Sequence, residues 1–344
     1  MQIGNFNTDS KAFIIAELSA NHNGDIQIAL DTIEAAKKAG ANAVKLQTYT
    51  PEWMTLKAYK DEFKAGDLWN KEYLYDLYKR AMTPLQWHEK LFGYAKSLNL
   101  EIFSSPFSKE AVDFLEQFDP PAYKIASFEI TDYALIKYTA SKGKPIIIST
   151  GIAKIDEIQD VVDICKEVGN KDIVLLKCTS SYPSSFEDAN LLMIPNMKET
   201  FGVEVGFSDH TLGITAPITA VALGAKVIEK HFILDKSIDT PDKDFSLDKD
   251  EFEQMVKTVR DTEKLLGKVD YSLTEKKKKS RHFARSLYVT KDIKKGEVFT
   301  EENIRSVRPG YGLHPKFLKD ILGKKAVKDI PFATALTWGM VGEV

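Results

Sequence analysis

Eight short apolar runs, most of them separated by stretches of helical periodicity, occupy the chain from its start to about Gly267. They are AFIIAE (12–17), NAVKLQ (42–47), LEIFS (100–104), AYKIA (122–126), PIIIS (145–149), IVLLKC (173–178), VEVGF (203–207) and KVIEKH (226–231). Their richness in Ile, Val and Leu suits parallel strands buried on both faces. Helical patterns cover 27–38, 84–98, 109–118, 133–141, 155–168, 214–223 and 248–265. Thr83-Pro84 and Ser108 read as helix starts, and Gly40 and Gly267 as stops. The alternation predicts an α/β fold, a (β/α)8 TIM barrel. An open doubly wound sheet is the alternative, but no Gly-rich dinucleotide fingerprint follows the first run.

One connection, Thr48 to Thr83, is long and carries Trp53, Trp69 and several tyrosines. It should hold a helix of its own and form a partial lid over the strand ends. Past Gly267 the pattern changes. TEKKKKSR (274–281) is a charge run that reads as a solvated linker or helix face. Short pieces follow, with turn signals at 292–296 and 309–312, predicting a small β-rich domain. The division expected is a barrel over 1–267, a linker over 268–284 and the small domain over 285–344.

Composition narrows the function. A hydrophobic fraction of 43% with 28% charged residues is ordinary for a globular chain, and a net charge of −3 gives no reason to expect nucleic acid or membrane binding. The two cysteines, Cys165 and Cys178, make no disulfide framework. The N-terminus lacks a basic region followed by a long apolar run, and no stretch approaches a membrane span. These features predict a cytoplasmic protein.

In a barrel the chemistry sits at the C-terminal strand ends, and each run here ends in polar residues. The runs at 203–207 and 226–231 lead into His210 and His231, which neighbouring strands would bring to one rim as a divalent-metal site. Lys45 and Lys124 interrupt apolar runs. A buried lysine is costly unless paired, so each is either in a structural salt bridge or holding an anion. Ser105, Ser127, Ser149 and Ser208 supply hydroxyl donors of the kind a phosphate or carboxylate uses, and Thr150-Gly151 could add backbone N–H groups. Together these predict a small phosphorylated acid as ligand. Glu17 ends the first run and reads as a general acid or base, or as a lysine's counter-ion. His22 reads as a third metal ligand or, more simply, a loop residue capping its own backbone. Cys178 reads as a small buried residue, with no base in view to activate it.

The motifs ELSANHNG (17–24), KLQT (45–48), FSSPFS (103–108), YKIASFE (123–129), STG (149–151), CTSSYP (178–183), GFSDH (206–210), EKHF (229–232) and RPGYG (308–312) form a specific set. Over nearly its whole length the chain resembles the sialic acid synthase family of phosphoenolpyruvate-condensing enzymes. Its C-terminal part is similar to that family's antifreeze-like (SAF) domain. The forms ELSANHNG, FARSLY and RPGYGLHPK look most like the branch that makes pseudaminic acid.

The resemblance implies that His210 and His231 hold a divalent metal, usually Mn or Mg. It implies that Lys45, Lys124, Ser105, Ser127, Ser149 and Ser208 bind phosphoenolpyruvate. Glu17 would be the acid/base, and Gln47, Tyr182 and Asp242 would contact an acetamido sugar. It also implies a homodimer with swapped SAF domains, in which Arg308 reaches the partner's barrel. N-acetylneuraminate and legionaminate synthesis are the alternatives within the family. Outside it stand a metal-dependent aldolase or isomerase and a non-catalytic sugar-binding protein.

Overall fold

The computed structural model describes residues 1–66 and 71–343. The chain divides into two compact units, Met1–Gly267 and Lys268–Val344.

In the first unit a short antiparallel hairpin, β1 (Gln2–Ile3) and β2 (Phe6–Asn7), precedes the main sheet. That sheet comprises β3 (Phe13–Glu17), β4 (Ala43–Thr48), β5 (Glu101–Pro106), β6 (Tyr123–Ile125), β7 (Ile146–Ser149), β8 (Ile173–Cys178), β9 (Glu204–Asp209) and β10 (Val227–His231). The strands are parallel and follow chain order around the sheet, and β10 pairs with β3 to close it into a barrel. Each of the eight apolar runs supplies one strand, and closure excludes the open-sheet alternative.

The helices between strands begin where their capping chemistry lies. The Ser108 hydroxyl accepts from the Ala111 N–H at 3.1 Å and starts the helix Lys109–Glu116. Asp248 and Glu251 cap each other's backbone at the start of Lys249–Leu266, which stops at Gly267 with φ of +52°. The helices Phe186–Ala189 and Met193–Phe201 lie outside the helical patterns read from the sequence. Pro195 falls in the first turn of the second, where its missing N–H costs no helical bond. The long connection holds the helices Pro51–Met54 and Leu74–Ala81. Trp69 lies outside the described residues.

Alternation along the strands sets what faces the barrel axis. Phe13, Ile15, Ala43, Phe103, Ala122, Ile147, Val174, Leu176 and Val227 pack together as the inner core. The intervening Ile14, Val44, Ile102, Ile125, Ile148, Leu175 and Ile228 pack outward in a second core with helix residues such as Ile33, Leu91 and Phe252. The inner core is confined to the N-terminal parts of the strands, so the same inward face is free for other chemistry at their C-terminal ends.

In the second unit the charge run forms the exposed helix Glu275–Ser280. β11 (Ser286–Val289) and β12 (Ile304–Val307) pair antiparallel over a small core that includes Leu287, Phe299, Ile304 and Leu336.

Candidate active site

Counting by twos from the inner core along each strand reaches Glu17, Lys45, Gln47, Ser105, Lys124, Ser149, Cys178, Ser208, Glu229 and His231. These residues therefore share the inward face. All but Gln47 are buried.

Charge is concentrated at their centre. Lys45 Nζ lies 2.7 Å from Glu17 Oε2 and 3.5 Å from Glu229 Oε2, while Lys124 Nζ lies 3.4 Å from Glu229 Oε1. Ser208 donates to Glu229 Oε1 at 3.0 Å, and Lys45 donates to Ser105 Oγ at 3.4 Å. Both lysines are therefore ion-paired, but the two carboxylates are not equivalent. Burial and the nearby Glu229 push Glu17 above the usual carboxylate range, against the opposing pull of Lys45. Burial disfavours the charged form of Glu229 too, but Lys124, Lys45 and the Ser208 hydroxyl overcome it and hold the group down at about 2. Burial lowers Lys124 as it raises Glu17, so the proton affinities within the cluster are drawn together on one side and apart on the other, and the two lysines suit an anion. Glu229 belongs to the EKHF motif, and strand alternation puts it on the same face as His231.

A second patch flanks this cluster. The Gly151 N–H donates to Ser127 Oγ at 3.3 Å. A Cβ at Gly151 would sit 2.3 Å from Ser180 Oγ and 2.8 Å from Ser127 Oγ, so glycine is needed there for close approach. Ser149 Oγ is buried without a hydrogen-bond partner. Buried hydroxyls left unpaired are uncommon and fit an absent polar ligand. Ser180 is a further residue that the sequence reading passed over. The Thr150 N–H is committed to the Leu176 carbonyl at 3.1 Å and is not available to a ligand.

The two histidines stand side by side, with ring centroids 5.3 Å apart. His210 Nδ1 lies 3.0 Å from the Thr179 carbonyl, so Nδ1 carries the proton and Nε2 is left as the lone-pair nitrogen. His231 Nδ1 is buried without a hydrogen-bond partner, and the Asp242 carboxylate stands 3.8 Å away. Two adjacent imidazoles and an unsatisfied ring nitrogen fit a divalent metal. Among the described residues no group of three His, Cys, Asp or Glu is arranged to hold one.

The remaining candidates fall into place around this pair. Tyr182 packs its ring 4.4 Å from that of His210. Gln47 donates to Glu17 Oε1 at 3.1 Å and to Ser19 Oγ at 3.0 Å, so it orients the carboxyl. The segment carrying Asp242 is clamped by Asn21, which donates to the Phe232 carbonyl and accepts from Thr240. Its acidity suggests a solvated loop, yet Asp242 is buried and burial raises its carboxyl. His22 caps its own loop, with Nδ1 accepting from the Gly24 N–H at 3.0 Å, and takes no part in the metal pair. His210 Nδ1, whose proton goes to the Thr179 carbonyl, also lies 3.8 Å from Cys178 Sγ, so it neighbours the thiol as a donor and not as a base. Burial would raise the thiol, and the His210 contact outweighs it, bringing Cys178 to about 7. Arg308 belongs to the second unit.

Comparison with known proteins agrees with this arrangement. A model of the NeuB family matches residues 32–271, and one of the SAF domain matches residues 284–342. The chain is 58% identical over 340 residues to a pseudaminic acid synthase of Campylobacter jejuni, covering 98% of this chain and 99% of that protein. It is 53% identical to the pseudaminic acid synthase of Helicobacter pylori, covering 94% of this chain and 96% of the other. Among solved structures, the N-acetylneuraminic acid synthetase of Leptospira borgpetersenii superposes with a TM-score of 0.72 at 31% identity, over 81% of this chain and 94% of that one. A barrel with this charged inner rim, followed by this second unit, makes the chain a member of the NeuB family.

Proposed function

We propose that this chain is an enzyme that condenses phosphoenolpyruvate with 2,4-diacetamido-2,4,6-trideoxy-L-altrose and water, giving pseudaminic acid and phosphate. The observation that carries the choice of sugar is the 58% identity, along 98% of the chain, to a pseudaminic acid synthase.

Lys45 and Lys124 hold the carboxylate end of phosphoenolpyruvate, and Ser127, Ser149 and Ser180 around Gly151 hold its phosphate. Ser105 and Ser208 steady the lysine–carboxylate network from which these contacts are made. Gln47, Tyr182 and Asp242 face the sugar and, with the anion contacts, hold the two reacting carbons in attack geometry. Carbon 3 of phosphoenolpyruvate bonds to the open-chain aldehyde carbon, and the aldehyde oxygen takes a proton from neutral Glu17. Water adds to the cationic carbon 2 and returns a proton to Glu17. The tetrahedral intermediate then expels phosphate by C–O cleavage, leaving a nine-carbon 2-keto acid. His210 and His231 would hold a divalent metal, Mn or Mg, which supplies Lewis-acid polarisation of a carbonyl oxygen when bound.

The assembly we propose is a cytoplasmic homodimer in which Arg308 of one chain reaches the barrel of the other and contacts an acetamido group. Exposed apolar residues beyond the strand ends, Phe128, Ile152, Phe186 and Leu212, support a covered rim. Among the described residues no helix is long and apolar enough to cross a membrane.

The test is phosphate release from phosphoenolpyruvate with Mn and each of three sugars: the altrose compound, 2,4-diacetamido-2,4,6-trideoxy-D-mannose and N-acetylmannosamine. Turnover with the altrose sugar, abolished by a chelator, is expected. Turnover with N-acetylmannosamine alone would keep the chemistry and overturn the sugar. No release from folded, metal-loaded protein would overturn the reaction itself.

A further inference from the structure

We propose that Asp209 and Lys230 form a positioning pair that sets the separation and orientation of His210 and His231. This rests on the reading of those two imidazoles as the metal-holding pair. β9 and β10 run in register, with Ser208 opposite Glu229 and Asp209 opposite Lys230. His210 and His231 follow directly beyond this ladder. Because successive side chains point to opposite faces, the rung beneath the histidines points out of the barrel.

That outward rung is a fully buried ion pair, with Lys230 Nζ 2.7 Å from Asp209 Oδ2 and both side chains 0% exposed. Lys230 also donates to the Thr211 carbonyl, and Asp209 Oδ1 accepts from the Thr211 N–H at 2.8 Å. His210 thus lies between two residues, 209 and 211, each bonded to the same ammonium group. That ammonium is carried by the residue immediately before His231.

A stability role alone does not account for this arrangement. Two charges removed from water gain little over a well-packed apolar pair, and the surrounding outward positions Phe207 and Ile228 are apolar. An apolar pair would lack direction. It would neither fix the turn after His210 nor penalise a one-residue slip, which would send His210 to the outer face.

The test compares Mn2+ binding, followed by the electron paramagnetic resonance of the free ion, in three proteins. They are the wild type, the His210→Ala/His231→Ala variant and the apolar pair Asp209→Leu/Lys230→Met. Thermal unfolding without metal is measured alongside. The apolar pair is expected to unfold at or above the wild-type temperature yet to bind Mn2+ about tenfold more weakly, as for other outer partners of metal ligands. Its kcat should fall while its KM for phosphoenolpyruvate holds. Wild-type Mn2+ affinity in the folded apolar pair overturns the inference alone. Should that variant not fold, Lys230→Arg is measured instead. It keeps the charge and alters the reach, so weaker binding is expected and unchanged binding overturns the inference. Mn2+ binding that survives loss of both histidines overturns the metal reading and the inference with it, and the histidine variant alone reports that case.

Discussion

Lys45 Nζ lies 2.7 Å from Glu17 Oε2, and the two residues face each other directly across β4 and β3. The same ammonium also reaches Glu229, so one cation answers two carboxyl groups whose affinities for protons are driven apart. Pairs separated in this way are how a site assigns its acid and its fixed charge.

Glu17→Gln keeps the shape and the contact with Gln47 but cannot exchange a proton. It is expected to lower kcat roughly 10²–10⁴-fold, the usual worth of a general acid–base group, with little change in unfolding temperature. Steady-state phosphate release measures the first and calorimetry the second. An unchanged kcat would remove Glu17 from proton transfer.

Glu229 serves both buried lysines, so Glu229→Ala strands the Lys124 ammonium in the barrel and leaves Lys45 to Glu17 alone. A loss of about 3–5 kcal/mol of stability is expected from breaking a buried pair. Urea unfolding checks it, and a loss below about 1 kcal/mol would mean that water already reaches the lysines.

Gly151 leaves room that Ser127 and Ser180 hydroxyls border closely. Gly151→Ala is expected to raise the KM for phosphoenolpyruvate by about tenfold or more, a cost of about 1.4 kcal/mol. The KM for the sugar should hold. Equal rises in both would place the glycine outside the anion patch.

His88 is buried between the Thr48 hydroxyl and the Pro84 carbonyl, and burial lowers it from 6.5 to about 4. The unfolded chain therefore binds the proton more readily than the folded one. The stability from keeping His88 neutral is present above about pH 6.5 and is lost as the pH falls toward 4, by about 2 kcal/mol between pH 7 and pH 5. His88→Gln should flatten that part of the acid destabilisation in urea unfolding at the two pH values. An undiminished slope would assign it elsewhere, with His22 the next residue to test.

Much of this was legible because strand alternation is strict. Once the eight runs are placed, counting by twos brings Glu17, Lys45, Lys124, Ser149, Ser208 and His231 to one face without any coordinates. The same count turns Asp209 and Lys230 outward and Glu229 inward, which separates the outer ion pair from the inner cluster. Other features were beyond the sequence for a physical reason. The approach of His210 to Cys178 and the crowding of Gly151 by Ser180 depend on how adjacent strand ends splay, and local periodicity carries no such information. The helix Met193–Phe201 carries Pro195 in its first turn, where a proline does not break the helix.

β10 is bonded to β9 on one side and to β3 on the other, so the first and last strands of the barrel meet at it. Glu229 rides on that closing strand, while the lysines that need it belong to strands made much earlier. During synthesis Lys124 would stand beside Ile147 without its carboxylate, and Lys45 would have Glu17 alone, until the final strand arrives. The event that completes the hydrogen-bonded circle is also the one that brings Lys124 its carboxylate partner, so closing the barrel and assembling its charged cluster are a single step.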